Sequence, residues 1–128
     1  MARKYNDANC MGYALKINDW LIPCYWNHSK TNTKRLVETL ENDFNLKEVS
    51  IEEMTFGKEY IAFRFGRRDF HYMVRGKQGH WRHKPGSCPV VSISQKEVFA
   101  KRWVNSIGTV YDSSIFLFEK IEADRLFV

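Results

Sequence analysis

The spacing of apolar residues divides the chain into a helical first part and a strand-rich remainder. Within residues 33–45, apolar side chains recur at intervals of three and four, which predicts an amphipathic helix. These side chains are Leu36, Val37, Leu40 and Phe44. Thr33 is expected to cap this helix and Asn45 to stop it. Residues 8–20 are also predicted to be helical, with Asn9 or Asp7 as the cap and Pro23 beyond the end.

Strand patterns dominate the middle of the chain. Residues 60–65 form an aromatic, β-prone run that stops at Gly66, and Phe70–Arg75 is predicted as the next strand. The segment 76–79 has a glycine at each end and predicts a hairpin loop, from which a strand returns over residues 80–83. Because alternate residues of a strand face one side, His71 and Met73 are expected to lie opposite Phe70 and Tyr72.

The last third carries weaker signals. A short strand is expected within residues 89–93 and another over 115–118, with an apolar tail at 125–128 that would join a sheet edge. Residues 95–105 are predicted as a helix with Val98, Phe99 and Trp103 on its apolar side. Helices followed by a mostly antiparallel sheet indicate an α+β fold. The 128 residues are expected to form one domain, residues 1–128.

Composition agrees with a folded domain. Hydrophobic residues make up 44% and charged residues 27%, and the 15% of aromatic residues predicts an aromatic-rich core. The three cysteines are an odd number, which argues against a disulfide framework and favours a reducing compartment. No apolar run approaches the ~18 residues of a membrane span, and residues 1–7 lack a signal-peptide core. The chain is therefore expected to be cytoplasmic as synthesised, with any export by another route.

The positive charge supports a second kind of function. The chain carries a net charge of +5, which attracts polyanions such as nucleic acid. A non-catalytic basic binding module would use basic and aromatic residues of the middle segment. These are Arg64, Arg67, Arg68, Arg75, Lys77, Arg82 and Lys84, together with Trp81 and Tyr72.

The start of the first predicted helix carries the candidate nucleophile. A thiol attacks only as the thiolate, and the free N–H groups in the first turn of a helix favour that form. Cys10 occupies such a position if the helix begins near Asn9. The same region is a candidate oxyanion hole, formed by Asn9 and Cys10.

Two histidines supply the matching base and orienting group. His71 lies on a predicted strand, and its imidazole has a pKa suited to a general base. His83 follows twelve residues later across the hairpin. If residues 77 and 78 form the tip, His83 faces Tyr72 and lies beside His71, where it orients the ring. Trp81 and Tyr72 are the candidate substrate-binding residues.

Other interpretations of these residues stay open. A lone cysteine is often a small buried hydrophobe, and a strand histidine is often a core-edge residue. His80, His83, Cys88 and Cys24 are an alternative zinc set, although their spacing is uncommon and no Cys-x2-Cys pair supports it. We therefore predict no metal and no cofactor.

Three motifs in this order resemble a known group of enzymes. They are Asn9-Cys10-x2-Tyr13-Ala14-Leu15, Asp69-Phe70-His71-Tyr72 and Trp81-x-His83-Lys84-Pro85-Gly86. Together they resemble the NlpC-like or CHAP-like branch of the papain-like superfamily. The resemblance implies a cysteine-bearing helix packed on an antiparallel sheet, with Cys10 as nucleophile, His71 as base and His83 as orienter.

The resemblance implies a type of reaction but does not identify the substrate. Asn9 stands where many cell-wall enzymes of the superfamily carry an aspartate. The expected activity is that of a thiol-dependent peptidase or amidase, with a peptide, protein or cell-wall peptide as substrate. A phage or effector origin fits this activity.

Overall fold

The computed structural model describes residues 5–27 and 30–121, which form a mixed α+β fold. The helices are α1 (Cys10–Leu15), α2 (Thr33–Phe44) and α3 (Gln95–Val98), with a short 3-10 helix at Ile51–Glu53. The strands are β1 (Leu46–Glu48), β2 (Tyr60–Phe65), β3 (Phe70–Arg75), β4 (Trp81–His83), β5 (Val91–Ile93), β6 (Trp103–Val104), β7 (Val110–Tyr111) and β8 (Phe116–Lys120). The predicted α+β class and mostly antiparallel sheet are confirmed.

One six-stranded sheet organises the fold. Its strand order is β1-β8-β2-β3-β4-β5, and all neighbouring strands are antiparallel. Strands β2 and β3 lie at its centre and pair along their whole length, from Tyr60–Arg75 to Phe65–Phe70. Strands β6 and β7 form a separate hairpin.

Each face of the sheet has its own core, since side chains of a strand alternate between faces. The helix-side core joins the sheet to α1 and α2. Its members include Met11, Ala14, Leu36, Leu40, Ile61, Phe63, Phe70, Tyr72 and Phe118. The hairpin-side core joins the opposite face to α3 and to the β6–β7 hairpin. Its members include Tyr60, Ala62, Met73, Trp81, Val98, Trp103, Tyr111 and Leu117.

The helix predictions are confirmed in position and corrected at their ends. Helix α2 begins after Asn32, whose side-chain oxygen accepts a hydrogen bond from the Arg35 N–H, so Asn32 rather than Thr33 is the cap. It ends at Asn45 in the left-handed conformation, as expected. Helix α1 is much shorter than the predicted 8–20, because Lys16 adopts a φ of 59° and closes it.

The prediction of a helix over residues 95–105 is wrong beyond Val98. The indole N–H of Trp103 donates to the Val98 carbonyl at 2.8 Å, which caps α3 and leads the chain into β6. Asn105 then accepts hydrogen bonds from the N–H groups of Ile107 and Thr109 and so builds the hairpin turn. The predicted tail strand at 125–128 lies outside the described residues. None of the helices within residues 5–27 and 30–121 has the length and apolar character needed to cross a membrane.

Candidate active site

Asn9 organises the start of helix α1. Its side-chain oxygen accepts hydrogen bonds from the N–H groups of Gly12, at 3.0 Å, and Leu21, at 3.1 Å. Its amide nitrogen donates to the Leu21 carbonyl at 2.7 Å. The Asn9 side chain is therefore the helix cap, which is one of the two caps predicted from the sequence. It also links the loop that contains Leu21 to the helix. These bonds occupy the Asn9 side chain, and the oxyanion hole predicted from Asn9 and Cys10 stays a prediction.

Cys10 is the first residue of α1 and is only 5% exposed. Its burial raises the pKa of the thiol to about 12, and the charge of Asp69 raises it further. The backbone N–H groups of Tyr72 and Met11 act in the opposite direction, because they hydrogen-bond to the sulfur. The thiol is therefore neutral in the free protein, although donors are already in place for a negative sulfur.

An opening in the sheet brings Cys10 close to the strand that carries His71. Strand β4 pairs with β3 only at Val74–Arg82 and Arg75–Trp81. Among the described residues, the first half of β3 therefore has no partner strand on that side, and the Tyr72 backbone N–H is near enough to the Cys10 thiol to lower its pKa. Cys10 belongs to the helix-side core. At this opening it lies at an edge of β3 that is also accessible from the hairpin side of the sheet.

His71 lies on the hairpin-side face of β3 and is 8% exposed. Its ring packs edge-on against Trp103, with centroids 5.9 Å apart, and lies 5.6 Å from the Tyr111 ring. Burial lowers the pKa of His71 to about 3, and the neighbouring His83 lowers it further. The imidazole is therefore neutral at ordinary pH and has a lone pair, although the lowered pKa makes it a weaker base than free imidazole.

The two predicted histidines form a direct pair. Nε2 of His71 lies 2.8 Å from Nδ1 of His83, with the two rings perpendicular. The hairpin register differs by one residue from the predicted one: continuing it from Val74–Arg82 puts His83 opposite Met73 rather than Tyr72. Because directly opposed residues share a face, this shift places His83 on the same face as His71.

The pairing determines which nitrogen of His71 can act on a thiol. A hydrogen bond between two neutral imidazoles needs one N–H and one lone pair. If Nε2 of His71 donates to Nδ1 of His83, then Nδ1 of His71 carries the free lone pair. Burial also lowers the pKa of His83, against a raising influence of Glu97, and this favours its neutral form. In that tautomer the His71 ring has the form that a general base requires.

Cys10, His71 and His83 all line one cavity of about 1030 Å³. Among the described residues, no hydrogen bond joins the Cys10 sulfur to the His71 ring. The loop that follows α1 forms one wall of this cavity, with Trp20, Ile22 and Trp26, and the β6–β7 hairpin forms another. Catalytic contacts in substrate-free enzymes are often long and close only when substrate binds.

The predicted substrate-binding residues are not at this cavity. Tyr72 lies in the helix-side core and Trp81 in the hairpin-side core, and both are buried. They serve as core anchors because their rings face inward on β3 and β4. The proposed zinc ligands do not gather either: within the described part of the chain, no group of three His, Cys, Asp or Glu residues is placed to share a metal ion.

Three of the seven cations named for the basic-module interpretation are buried, whereas Arg67, Arg68, Lys77 and Arg82 are exposed. Arg64, Arg75 and Lys84 are buried, as are both of its aromatic residues. Arg64 lies over the Trp103 ring, and Lys84 donates to the Gly86 carbonyl at 2.9 Å. These buried cations therefore support neighbouring segments and do not form a face for a polyanion.

Sequence reasoning missed the residues that enclose His71 from the far side. Trp103 and Tyr111 pack against its ring, and Asp69 accepts a hydrogen bond from the Tyr111 hydroxyl at 3.0 Å. The sequence feature that could have indicated them is the turn Asn105-Ser106-Ile107-Gly108, which predicts a hairpin.

Comparison of the chain with family models, curated proteins and solved structures finds no match.

Proposed function

We propose that this protein is a cysteine hydrolase of papain-like type that cleaves an amide bond through an acyl-enzyme on Cys10. The observation that carries the proposal is the 2.8 Å pair between His71 and His83 in the cavity that Cys10 also lines. A cysteine on a helix, a base on the central strand and an orienting group on the next strand is the order of the papain-like superfamily. The mixed α+β fold with an antiparallel sheet is compatible with its NlpC-like or CHAP-like branch.

Acylation begins with a proton transfer. Nδ1 of His71 takes the proton of the Cys10 thiol as the sulfur attacks the carbonyl carbon of the amide. The N–H groups of Tyr72 and Met11, which hydrogen-bond to the sulfur, stabilise its developing negative charge. The His71 imidazolium donates through Nε2 to His83. It then delivers its Nδ1 proton to the leaving nitrogen, the C–N bond breaks, and a thioester remains.

Deacylation uses water as the second substrate. His71 takes a proton from water, the hydroxide oxygen attacks the thioester carbon, and the C–S bond breaks. The proton returns from His71 to the sulfur, so the enzyme leaves the cycle unchanged. Because the pKa of Cys10 is about 12 and that of His71 about 3 in the free protein, we expect the proton to move in concert with attack.

The test uses a chain in which Cys10 is the single thiol. Cys24 and Cys88 are exposed, so Cys24→Ser and Cys88→Ser remove their reactivity with little effect on packing. This protein, its Cys10→Ala variant and its His71→Ala variant are each incubated with a tryptic peptide library. Mass spectrometry then detects new chain ends and glutamine-to-glutamate conversion. We expect products with the parent and none with either variant. A library that stays intact with all three, or is cut equally by all three, overturns the proposal.

A further inference from the structure

Several of the most exposed apolar residues of this protein lie around one opening. Large apolar side chains that are exposed singly are ordinary, but a cluster beside a cavity marks a binding surface. Four of the most exposed ones line the cavity that holds Cys10 and His71. They are Trp20, Ile22, Val104 and Ile107. Ile107, at 85% exposed, and Ile22, at 66%, lie on separate segments of the chain.

The two apolar walls are held in place and do not need substrate to form them. The loop wall is fixed by the hydrogen bonds between Asn9 and Leu21 and by the edge-on packing of Trp26 against Phe70, 5.2 Å apart. The hairpin wall is fixed by Trp103, whose indole N–H donates to α3. Preformed walls lower the entropic cost of binding.

The charge of the cavity differs from the charge of the whole protein. Although the chain has a net charge of +5, Arg102 is the one lysine or arginine among the described residues that line the cavity. Two carboxylates, Asp69 and Glu97, also line it. An acidic side chain bound here would therefore meet more negative than positive charge.

Building on the proposed function, we infer that the cleft accepts an extended, uncharged peptide with large apolar side chains on both sides of the scissile amide. The volume of about 1030 Å³ is at the upper limit of ordinary ligand pockets, ~300–1000 Å³, and suits several peptide residues. One side chain of the peptide packs on Trp20 and Ile22, and another packs on Val104 and Ile107. Cell-wall peptides, which carry free carboxylates, are disfavoured by Asp69 and Glu97.

The first experiment measures reaction at Cys10 in the Cys24→Ser, Cys88→Ser protein. The probes are two peptidyl acyloxymethyl ketones of equal length, one built from Leu and Phe and the other from Glu and Asp. Mass spectrometry follows the rate of Cys10 alkylation. We expect the apolar probe to react at least about tenfold faster, which is ~1.4 kcal/mol of preference. Equal rates, or a faster acidic probe, overturn the inference while leaving a reactive Cys10 in place.

The second experiment locates the preference with matched surface variants. Ile107→Ser removes an apolar residue that lines the cavity, whereas Phe56→Ser removes one that is 80% exposed but does not line it. Ile107→Ser should slow the apolar probe several-fold and Phe56→Ser should not. If the two variants behave alike, the hairpin wall is not the binding surface and the inference fails.

A binding measurement separates this inference from the proposed chemistry. The same two peptide sequences, with a fluorescent label and no reactive group, are titrated with the Cys10→Ala protein. Tighter anisotropy-detected binding of the apolar peptide supports the cleft assignment even if Cys10 proves unreactive, in which case only the proposed hydrolysis is lost. Binding that does not distinguish the two peptides overturns the cleft assignment.

Discussion

The hydroxyl of Tyr111 donates a hydrogen bond to Oδ2 of Asp69 at 3.0 Å. Tyr111 ends the β6–β7 hairpin, whereas Asp69 immediately precedes β3 and lies 42 residues earlier. The bond therefore fastens one wall of the cavity to the strand that carries His71. The Tyr111 ring lies beside the His71 ring, so the same contact holds the imidazole in its enclosed position.

Tyr111→Phe tests this attachment, because it removes the hydroxyl and keeps the ring against His71. We expect the free energy of unfolding to fall by about 2 kcal/mol, the range for hydrogen bonds to a charged group, as measured in urea. Turnover of apolar peptides should fall several-fold because the hairpin wall moves more freely. Tyr25→Phe is the control, since Tyr25 is exposed and its hydroxyl accepts a hydrogen bond from the exposed Arg35. Equal stability for the two variants would contradict the role of the Tyr111–Asp69 bond.

Substitutions of His83 separate an orienting role from a packing role. In the proposed tautomer, His83→Ala removes the acceptor for the Nε2 proton of His71, and we expect it to lower kcat on the order of 10²-fold or more. His83→Asn places an amide oxygen near the position of Nδ1 and should restore part of that loss. His83→Lys offers only donors and should be as inactive as the alanine variant. Steady-state kinetics on one peptide substrate decides the order, and an asparagine variant no better than lysine argues against the assigned tautomer.

Acid should destabilise the fold through the buried His71. The folded-state pKa of His71 is about 3, compared with 6.5 for a free imidazole, because burial disfavours the charged ring. Between these values the unfolded chain binds more protons, so stability is complete above pH 6.5 and is lost as the pH falls toward 3. Urea unfolding at pH 4.5 and 7.5 should show a smaller pH difference for His71→Asn than for the wild type. The exposed His80 offers a control, since His80→Asn makes the same change outside the site.

The centre of the sheet was predictable because its pattern is local. Tyr60–Phe65 and Phe70–Arg75 are β-prone runs rich in aromatic residues, and the glycines at 76 and 79 mark the turn between Phe70–Arg75 and Trp81–His83. Counting residues outward from this turn also predicted that His83 lies near His71, within one residue of the observed register. The residues that enclose the site were not predictable in the same way, since Trp103 and Tyr111 reach His71 through contacts between distant segments. Local propensity in residues 95–105 favoured a helix that these contacts override.

Replacement by phenylalanine is expected to change the stability in opposite directions at two buried tyrosines. The hydroxyl of Tyr72 is buried with no hydrogen-bond partner among the described residues, whereas that of Tyr60 accepts the Thr55 N–H at 2.8 Å. Removing an unpaired buried hydroxyl relieves a desolvation cost of about 1–3 kcal/mol, while removing a paired one leaves a donor unsatisfied. We therefore expect Tyr72→Phe to raise the urea midpoint and Tyr60→Phe to lower it. Destabilisation by both would indicate that Tyr72 has a partner, such as a buried water.

Gly12 lies where the helix that carries Cys10 packs closely against the loop wall of the cavity. A Cβ atom at this position would lie 2.2 Å from the Asp19 carbonyl oxygen and 2.7 Å from that of Ile17. Gly12→Ala must therefore push the loop outward, and we expect it to cost about 1–3 kcal/mol of stability, as overpacking does. The loop also carries Trp20, so peptide turnover should fall more than the loss of folded protein explains.

Gly76→Ala is the matched control for this substitution, because nothing lies within 4 Å of the added methyl group. It should change stability by less than about 0.5 kcal/mol and leave turnover unaltered. The two variants are compared by urea unfolding and by kcat/KM for the apolar peptide, measured where both proteins are fully folded. If Gly12→Ala unfolds more easily yet keeps the parental kcat/KM, the loop after α1 is a structural element and not a wall of the substrate cleft.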